Sequence, residues 1–441
     1  MPFSAGPEIK EGPMRGKTRL GVAMLSLAVG GGGAAFGSGY SVYEQGAEAM
    51  ANAGAFTARA DDPSALFFNP AGILQLDRFR LNIGTNAIFL TGAKFDSTAS
   101  GQGFRQDDNV AWPSSLYYTQ KISDRFAWGL AFTSPFGLKT QWGPTFDGRY
   151  ISREANLAVV NVNPNFAFRL GKSWSAAVGI DYARADVREL SKNIDFTNPP
   201  LALGAPDGFT KLTGDGSDTG WNLAIRWAGD KGWRWGGSYR SGMKPEIQGD
   251  VVFQKIPGAV AALFPNGGAT AVIPLPASFA TGVGYISKGK WEGEFDVVWT
   301  DWSVFDHLRI DIKNNTVAVT DIDQLEEWKD SYSFRVGYSY HLSDRHEYRL
   351  GAYFDRNPVP AAHVRPRLPD ANRTSAQVGY GYHGKGGFTF DVAYQALFFA
   401  DRTATGSPVG PGGSGTGPDP VQPGRYQNFT SLLGASVGWK F

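Results

Sequence analysis

Trp291-Glu292-Gly293-Glu294-Phe295-Asp296-Val297-Val298-Trp299-Thr300-Asp301 separates by parity into two chemically different sets. Trp291, Gly293, Phe295, Val297 and Trp299 form one; Glu292, Glu294, Asp296, Val298 and Thr300 form the other. Successive side chains of a β-strand point to opposite faces, so this stretch presents one oily face and one largely wet face.

The pattern recurs in both directions. Tyr332, Phe334, Val336, Tyr338 and Tyr340 alternate with Ser331, Ser333, Arg335, Gly337 and Ser339, and Phe388, Phe390, Val392 and Tyr394 alternate with Thr389, Asp391, Ala393 and Gln395. Trp174, Ala176, Val178, Ile180 and Tyr182 repeat it earlier. Candidate strands fall near 78–90, 112–121, 125–137, 154–170, 173–189, 218–229, 233–252, 276–288, 290–303, 330–341, 347–356, 373–384, 387–400 and 426–441. That is about fourteen, an even number as single-chain bacterial barrels require. Short polar turns such as Ser123-Asp124, Gly171-Lys172, Gly229-Asp230 and Lys288-Gly289 alternate with long loops near 91–111, 138–153, 190–217, 253–275, 304–329, 357–372 and 401–425. Short periplasmic turns and long outer loops characterise outer-membrane barrels.

In water, an aromatic face repeated over strand after strand would be a very large exposed apolar patch. In lipid, only a closed barrel satisfies every strand hydrogen bond. The fold class is therefore all-β: a transmembrane antiparallel β-barrel over residues 78–441, in a bacterial outer membrane. Tyr117, Tyr118, Trp142, Trp299, Trp302, Tyr380 and Tyr382 lie near strand ends, where interfacial girdles are expected.

The rest of the composition excludes other classes. Among 441 residues, 42 Lys and Arg balance 41 Asp and Glu, interspersed rather than blocked, so no electrostatic case exists for nucleic acid. The absence of Cys excludes disulfides, zinc–cysteine sites and thiol catalysis, and suits a chain exported through an oxidising periplasm. His307, His341, His346, His363 and His383 are scattered, with no HExxH or GxSxG pattern, and read as solvated loop or turn residues. Asp61-Asp62 before Pro63 reads as a turn cap rather than an acid/base pair. No catalytic group, metal site or cofactor is expected.

Two N-terminal segments do not alternate. Arg15, Lys17 and Arg19, the apolar run Leu20 to Val29 and the small residues Gly30 to Gly37 read as a leader over 1–37, cleaved after Gly37, with Met1 or Met14 as the start. Its apolar run is too short to cross about 30 Å of hydrocarbon as a helix. Residues 38–77 are rich in small residues and helix-compatible, and end in Ala65-Leu66-Phe67-Phe68 followed by the turn Asn69-Pro70-Ala71-Gly72. An exported, non-strand segment joined directly to a barrel reads as a small helical hatch in its lumen.

The ordered set Gly39-Tyr40…Glu44-Gln45, Ala60-Asp61-Asp62-Pro63, Asn69-Pro70-Ala71-Gly72, Trp128 to Leu138, Val298 to Ser303 and Phe354-Asp355…Val359-Pro360 resembles the FadL family of long-chain fatty acid and hydrocarbon transporters. The resemblance spans residues 38–441. It implies fourteen strands, an internal hatch, and passage of a hydrophobic ligand without energy input. The loops after the fifth and seventh expected strands would form the first binding groove. Bottom-up, those loops are apolar for surface loops, through Pro199, Pro200, Leu201, Leu203 and Phe209 in one and Phe253, Ile256, Val260, Leu263, Phe264 and Leu275 in the other. Such clusters suggest capture of an oily ligand or contact with lipopolysaccharide.

By the same resemblance a deeper site would meet a carboxylate with Arg309 and with a strand-five residue near Arg184 or Arg188, although ungapped alignment falls on Glu189. The exit implied is lateral: the Asn69-Pro70-Ala71 turn would pack against an inward kink in the third strand at Ser134, Pro135 and Gly137. Independently, Pro135 inside a strand argues for a broken ladder, because it cannot donate a hydrogen bond. Leu433, Ala435, Val437, Trp439 and Phe441 end the chain on one parity, with Phe441 as the aromatic terminus read by the barrel assembly machinery. A monomer in outer-membrane lipid is expected. Rival readings are a polar porin, with an open lumen and no hatch, and an adhesin or receptor built on the long loops.

Overall fold

Asp296 and Glu294 are buried while Trp291 and Phe295 face outward in the computed structural model, which describes residues 38–90, 93–198, 201–287, 289–405 and 421–441. The expected leader, its cleavage site, Pro199, Pro200, Lys288 and most of the last outer loop lie outside the described residues.

Fourteen staves form one closed antiparallel barrel. They are β1 (Phe79–Leu90), β2 (Ser114–Ser123), β3 (Phe126–Gln141), β4 (Glu154–Arg169), β5 (Trp174–Ile194), β6 (Gly208–Ala228), β7 (Trp233–Arg240), β8 (Ser278–Ser287), β9 (Trp291–Thr300), β10 (Ser331–Ser343), β11 (His346–Asp355), β12 (Arg373–His383), β13 (Phe388–Phe399) and β14 (Phe429–Lys440). β1 closes on β14, from Arg80 opposite Lys440 to Phe89 opposite Ser431. Closure pairs the strand edges, one stretch of β3 excepted, in hydrocarbon where an unpaired backbone group costs several kcal/mol. The oily parity faces out: Phe295, Phe334, Val336, Val378 and Tyr394 are all exposed. No helix of the described residues is long and apolar enough to cross a membrane.

Above the outer mouth the strands run further than alternation of large aromatics implies. β5 and β6 continue as one hairpin to Ile194 and Gly208, so most of the expected 190–217 loop is ladder. The strand expected at 233–252 divides into β7 and Glu246–Gln254, and Gly267–Val272, His307–Ile312 and Ile322–Leu325 extend the wall where loops were expected. These segments bury Ile247, Val251, Leu308, Ile310 and Ile312 in a core above the lumen, so their oily parity points inward. Arg402–Ala404, Gly424–Gln427, Lys94–Ser97 and Gly103–Arg105 form a second, four-stranded sheet, packed through Phe95 and Tyr426.

Three aromatics expected in the membrane girdles belong to these interiors instead. Trp142 stacks on Phe146 at 4.4 Å, Trp302 meets Tyr40 at 4.6 Å, and the Tyr117 hydroxyl donates to the Gln45 carbonyl at 2.7 Å. Parity alone does not distinguish an inward ring from an outward one near a strand end.

The lumen holds residues 38–76. Two short helices, α1 (Ala47–Ala51) and α2 (Ala65–Phe68), precede a 3-10 turn at Pro70–Gln75. The helix α1 packs against β11, β12, β13, β14 and β1, and the 3-10 turn against β2 to β6. Neither helix exceeds five residues, well below the length at which a helix is stable alone, so the wall holds the hatch in shape.

Candidate functional site

The wet parity of the decisive strand grips the hatch. Asp296 accepts the backbone N–H groups of Phe56 and Thr57, each at 3.0 Å, and Glu294 accepts those of Ala58 at 2.6 Å and Arg59 at 2.9 Å. Four consecutive donors without helix or ladder partners are thus satisfied by two carboxylates; bonds to charged groups are roughly twice as strong as neutral ones. From the neighbouring wall, Arg226 of β6 donates to the Ala58 carbonyl at 2.7 Å, and Arg335 of β10, the register partner of Asp296, donates to the Ala53 carbonyl at 2.8 Å. The inward faces of β7 and β12 approach closely: a Cβ at Gly236 would lie 2.1 Å from the Thr57 carbonyl, and one at Gly379 2.3 Å from Ala51 Cβ.

Below this latch, toward the short turns, a polar cavity of about 160 Å³ is lined by Glu48, Arg59, Asp61, Asp62, His341 and Glu347 among others. Arg59 pairs with Glu48, Asp61 and Glu292, and Arg349 with Glu48, Glu347 and Asp391. His341 and His383 lie beside Glu347, His383 still partly solvent-exposed, while His363 is buried beside Glu327 and is not the solvated residue that its position implied. Asp62 caps its turn as expected, accepting from the Ser64 N–H at 2.8 Å. Burial pushes its carboxyl up to about 6, against the opposing Ser64 hydrogen bond, and burial likewise raises Glu48 despite Arg349.

Above the latch, β3 breaks. The β2–β3 ladder ends at Leu116 opposite Phe132, and the β3–β4 register shifts between Thr133 and Phe136. Backbone contact of β3 with the β1–β2 loop resumes at Trp142 opposite Gln106. Between these points the edge of β3 is covered by the start of the hatch: Val42 N–H donates to the Pro135 carbonyl at 2.7 Å, and Gly137 N–H to the Tyr40 carbonyl at 2.9 Å. The Gln45 amide donates to the Ser134 carbonyl at 2.8 Å. Tyr40 itself sits among Phe136, Trp302, Phe305 and Trp328, its hydroxyl donating to the Pro274 carbonyl.

A second cavity, of about 80 Å³, lies between this segment and the wall, lined by Val42, Phe67, Pro135, Phe136, Arg240 and Arg335 among others. That is well below the roughly 300–1,000 Å³ of a typical ligand pocket. A long-chain ligand therefore needs the Ser38–Gln45 segment to move.

The expected site residues separate into three groups. Ser134, Pro135 and Gly137 do form the break, but its hydrogen-bond partners are Tyr40, Val42 and Gln45. Asn69 instead donates to the carbonyls of Thr57 at 2.7 Å and Ile225 at 3.1 Å, Ala71 N–H returns to the Asn69 side chain at 3.1 Å, and Ser175 donates to the Ala71 carbonyl at 2.9 Å. The Asn69-Pro70-Ala71 turn thus anchors the hatch to β5 and β6; a side-chain amide can cap a local turn, whereas an exposed strand edge selects extended backbone such as 40–42. Leu201, Phe253, Leu263 and Phe264 gather in the outer core, with Phe253 and Phe264 rings 5.5 Å apart, while Leu203 is exposed.

Arg309, Arg184 and Arg188 line neither of the two cavities. Arg309 lies on the exposed parity of His307–Ile312 beside Asp323, and Arg184 is exposed beside Asp215. Arg188 pairs with Asp186 at 3.2 Å. The cations that reach the lumen include Arg59, Arg226, Arg240, Arg335 and Arg349; inward parity in the Ser331–Tyr340 alternation marked Arg335. Phe441 stacks on Phe79 at 4.9 Å and donates its N–H to the Phe79 carbonyl at 3.0 Å.

A closed barrel with an oily outer band, a latched internal hatch and a broken wall ladder defines a plugged outer-membrane transport barrel. The chain belongs to the outer membrane protein transport protein family (OMPP1/FadL/TodX), whose model matches residues 29–438. A long-chain fatty acid transport protein of Salmonella typhi is 27% identical over 367 residues, 76% of this chain and 82% of that one. A putative outer membrane protein of Neisseria meningitidis is also 27% identical, over 96% of this chain and 97% of its own length. Among solved structures, a Pseudomonas aeruginosa FadL homologue superposes with a TM-score of 0.77 at 20% identity, over 92% of this chain and 100% of that one. The Pseudomonas putida toluene transporter TodX does so with 0.71 at 14%, over 90% and 98%.

Proposed function

We propose that this chain carries long-chain fatty acids, as its Salmonella relative is named for, from the outer apolar loops into the barrel and sideways into lipid through the break in β3. The observation that supports this is the break in β3 itself: at Pro135 and Gly137 the strand pairs with Val42 and Tyr40 at the start of the hatch instead of with β2, and that start is tied to the wall by the Gly39 N–H on Asp370. Released downward, an oily ligand would return to water at about 0.8 kcal/mol per CH₂; released sideways, it avoids that penalty. In this reading 1–37 is a leader, 38–77 the hatch and 78–441 the barrel, inserted by the assembly machinery and working as a monomer among lipid and lipopolysaccharide. Arg309 and Arg184, exposed above the barrel, and the half-buried Arg188 would act only in first capture of an anionic ligand.

An aromatic hydrocarbon is the second reading, favoured by the ring cluster around Tyr40. Uptake of labelled oleate and labelled toluene by cells with equal folded protein separates the two. Gly137→Arg places a long side chain in the break and is expected to abolish uptake of the favoured probe; wild-type uptake by this variant would return the route to the lumen axis.

A further inference from the structure

At the foot of the break the wall carries buried polar atoms that nothing in the protein satisfies. Thr133 is the last β3 residue in register before the bulge, directly opposite Asn161 of β4. Asn161 donates through Nδ2 to Asp181 Oδ1 of β5 at 2.7 Å, and Arg240 of β7 donates to the same carboxylate. Arg240 also donates to the Phe67 carbonyl at 3.4 Å and lines the upper cavity. Thr133, Asn161 and Asp181 are 2%, 1% and 0% exposed, yet Thr133 Oγ1, Asn161 Oδ1 and Asp181 Oδ2 have no hydrogen-bond partner among the described residues. Two of these are pure acceptors and the third, a hydroxyl, has one O–H to give, so at least one buried acceptor is left without a donor; leaving buried acceptors unmet destabilises the wall.

We propose that Thr133, Asn161, Asp181 and Arg240 form a head-group subsite at the sill of the break, which takes the O–H of an uncharged amphiphile, an undissociated carboxylic acid or a long-chain alcohol. This rests on the lateral transport reading and specifies the form in which the ligand leaves. The acid's O–H donates to the orphan acceptors, and its carbonyl oxygen accepts from Arg240. Arg240 and Asp181 already neutralise each other, so a carboxylate anion would face Asp181 without net compensation. The uncharged form is also the one that hydrocarbon accepts, because burying an isolated carboxylate is far more costly than burying a hydrogen-bonded neutral group. The head group can thus pause on the sill while the tail enters lipid.

The test compares uptake of labelled oleic acid, oleyl alcohol and 1-octadecene by cells expressing wild type, Thr133→Val, or the Thr133→Val/Asn161→Leu pair, each matched for heat-modifiable folded barrel. The double variant is expected to lower uptake of the acid and the alcohol about tenfold, the equivalent of roughly one net hydrogen bond, and leave 1-octadecene unchanged. The shape-conserving Thr133→Val should show a smaller loss with the same selectivity and covers misfolding of the pair. Equal loss for all three probes, loss confined to 1-octadecene, or no loss, as when water alone satisfies these atoms, would overturn the proposal. So would loss confined to the acid, which would mean that Arg240 recognises the anion. Failure of wild type to take up any of the three would instead overturn the transport reading itself.

Discussion

Asp296 holds Thr57: its Oδ2 accepts the Thr57 backbone N–H at 3.0 Å, tying the middle of the hatch to a strand that faces lipid on its other side. The same carboxylate oxygen also accepts from Phe56, and Glu294 holds the next two residues. Two inward acids on one strand thus hold four consecutive residues of the hatch.

Asp296→Ala leaves two buried N–H groups unmet, at about 1–3 kcal/mol each. The variant barrel is expected to fold but to leak: in planar bilayers, frequent openings should replace a nearly silent wild-type trace. A trace as quiet as wild type would show that Arg226, Arg335 and the packed glycines hold the hatch without β9.

Arg309 and Asp323 form an exposed pair, of a kind that solvent screens and that contributes little. Arg309→Ala should therefore change the Kd for oleate, measured on purified protein, by no more than about twofold. A tenfold rise in Kd would restore Arg309 to the deep carboxylate site that the family resemblance implies.

Asp62 has its carboxyl raised from an ordinary value near 3.8 to about 6, chiefly by burial. Its charged form is thus disfavoured in the docked hatch. Its contribution to docking is full below about pH 4 and is lost as pH rises to about 6. Hydrogen exchange at Phe56–Arg59 should accordingly lose protection across that window, beyond the intrinsic rise in exchange rate, and Asp62→Asn should flatten the change. An unaltered profile in Asp62→Asn would assign the dependence to other groups.

Much of this was legible in the sequence, for a reason specific to barrels. Alternation such as Tyr332/Ser333/Phe334/Arg335 records lipid on one side and lumen on the other, so strand number and the oily face follow directly. Pro135 marked the break because its missing N–H is a local property. What covers the break was not legible: Tyr40 and Val42 pair with Gly137 and Pro135 across more than ninety residues of chain, and extended backbone leaves no side-chain signature. Asn69 misled because its amide serves a local turn and a distant strand equally well. Arg309 misled because above the mouth the buried parity carries Leu308 and Ile310, which puts the neighbouring guanidinium outside. Gly236 and Gly379 carried an unread signal, since a glycine on the inward parity leaves room for an internal segment.

On the proposed lateral route the hatch body stays fixed while the ligand leaves through the wall. A Cβ at Gly284 would stand 3.7 Å from Ala58 Cβ, within the roughly 3.5–4.5 Å that a disulfide requires, and the chain has no other thiol to interfere. Oleate uptake should therefore be measured in cells expressing Ala58→Cys/Gly284→Cys, oxidised and then reduced. A fixed hatch body gives the same uptake in both states; uptake abolished by the cross-link and restored by reductant would show that the hatch body must move.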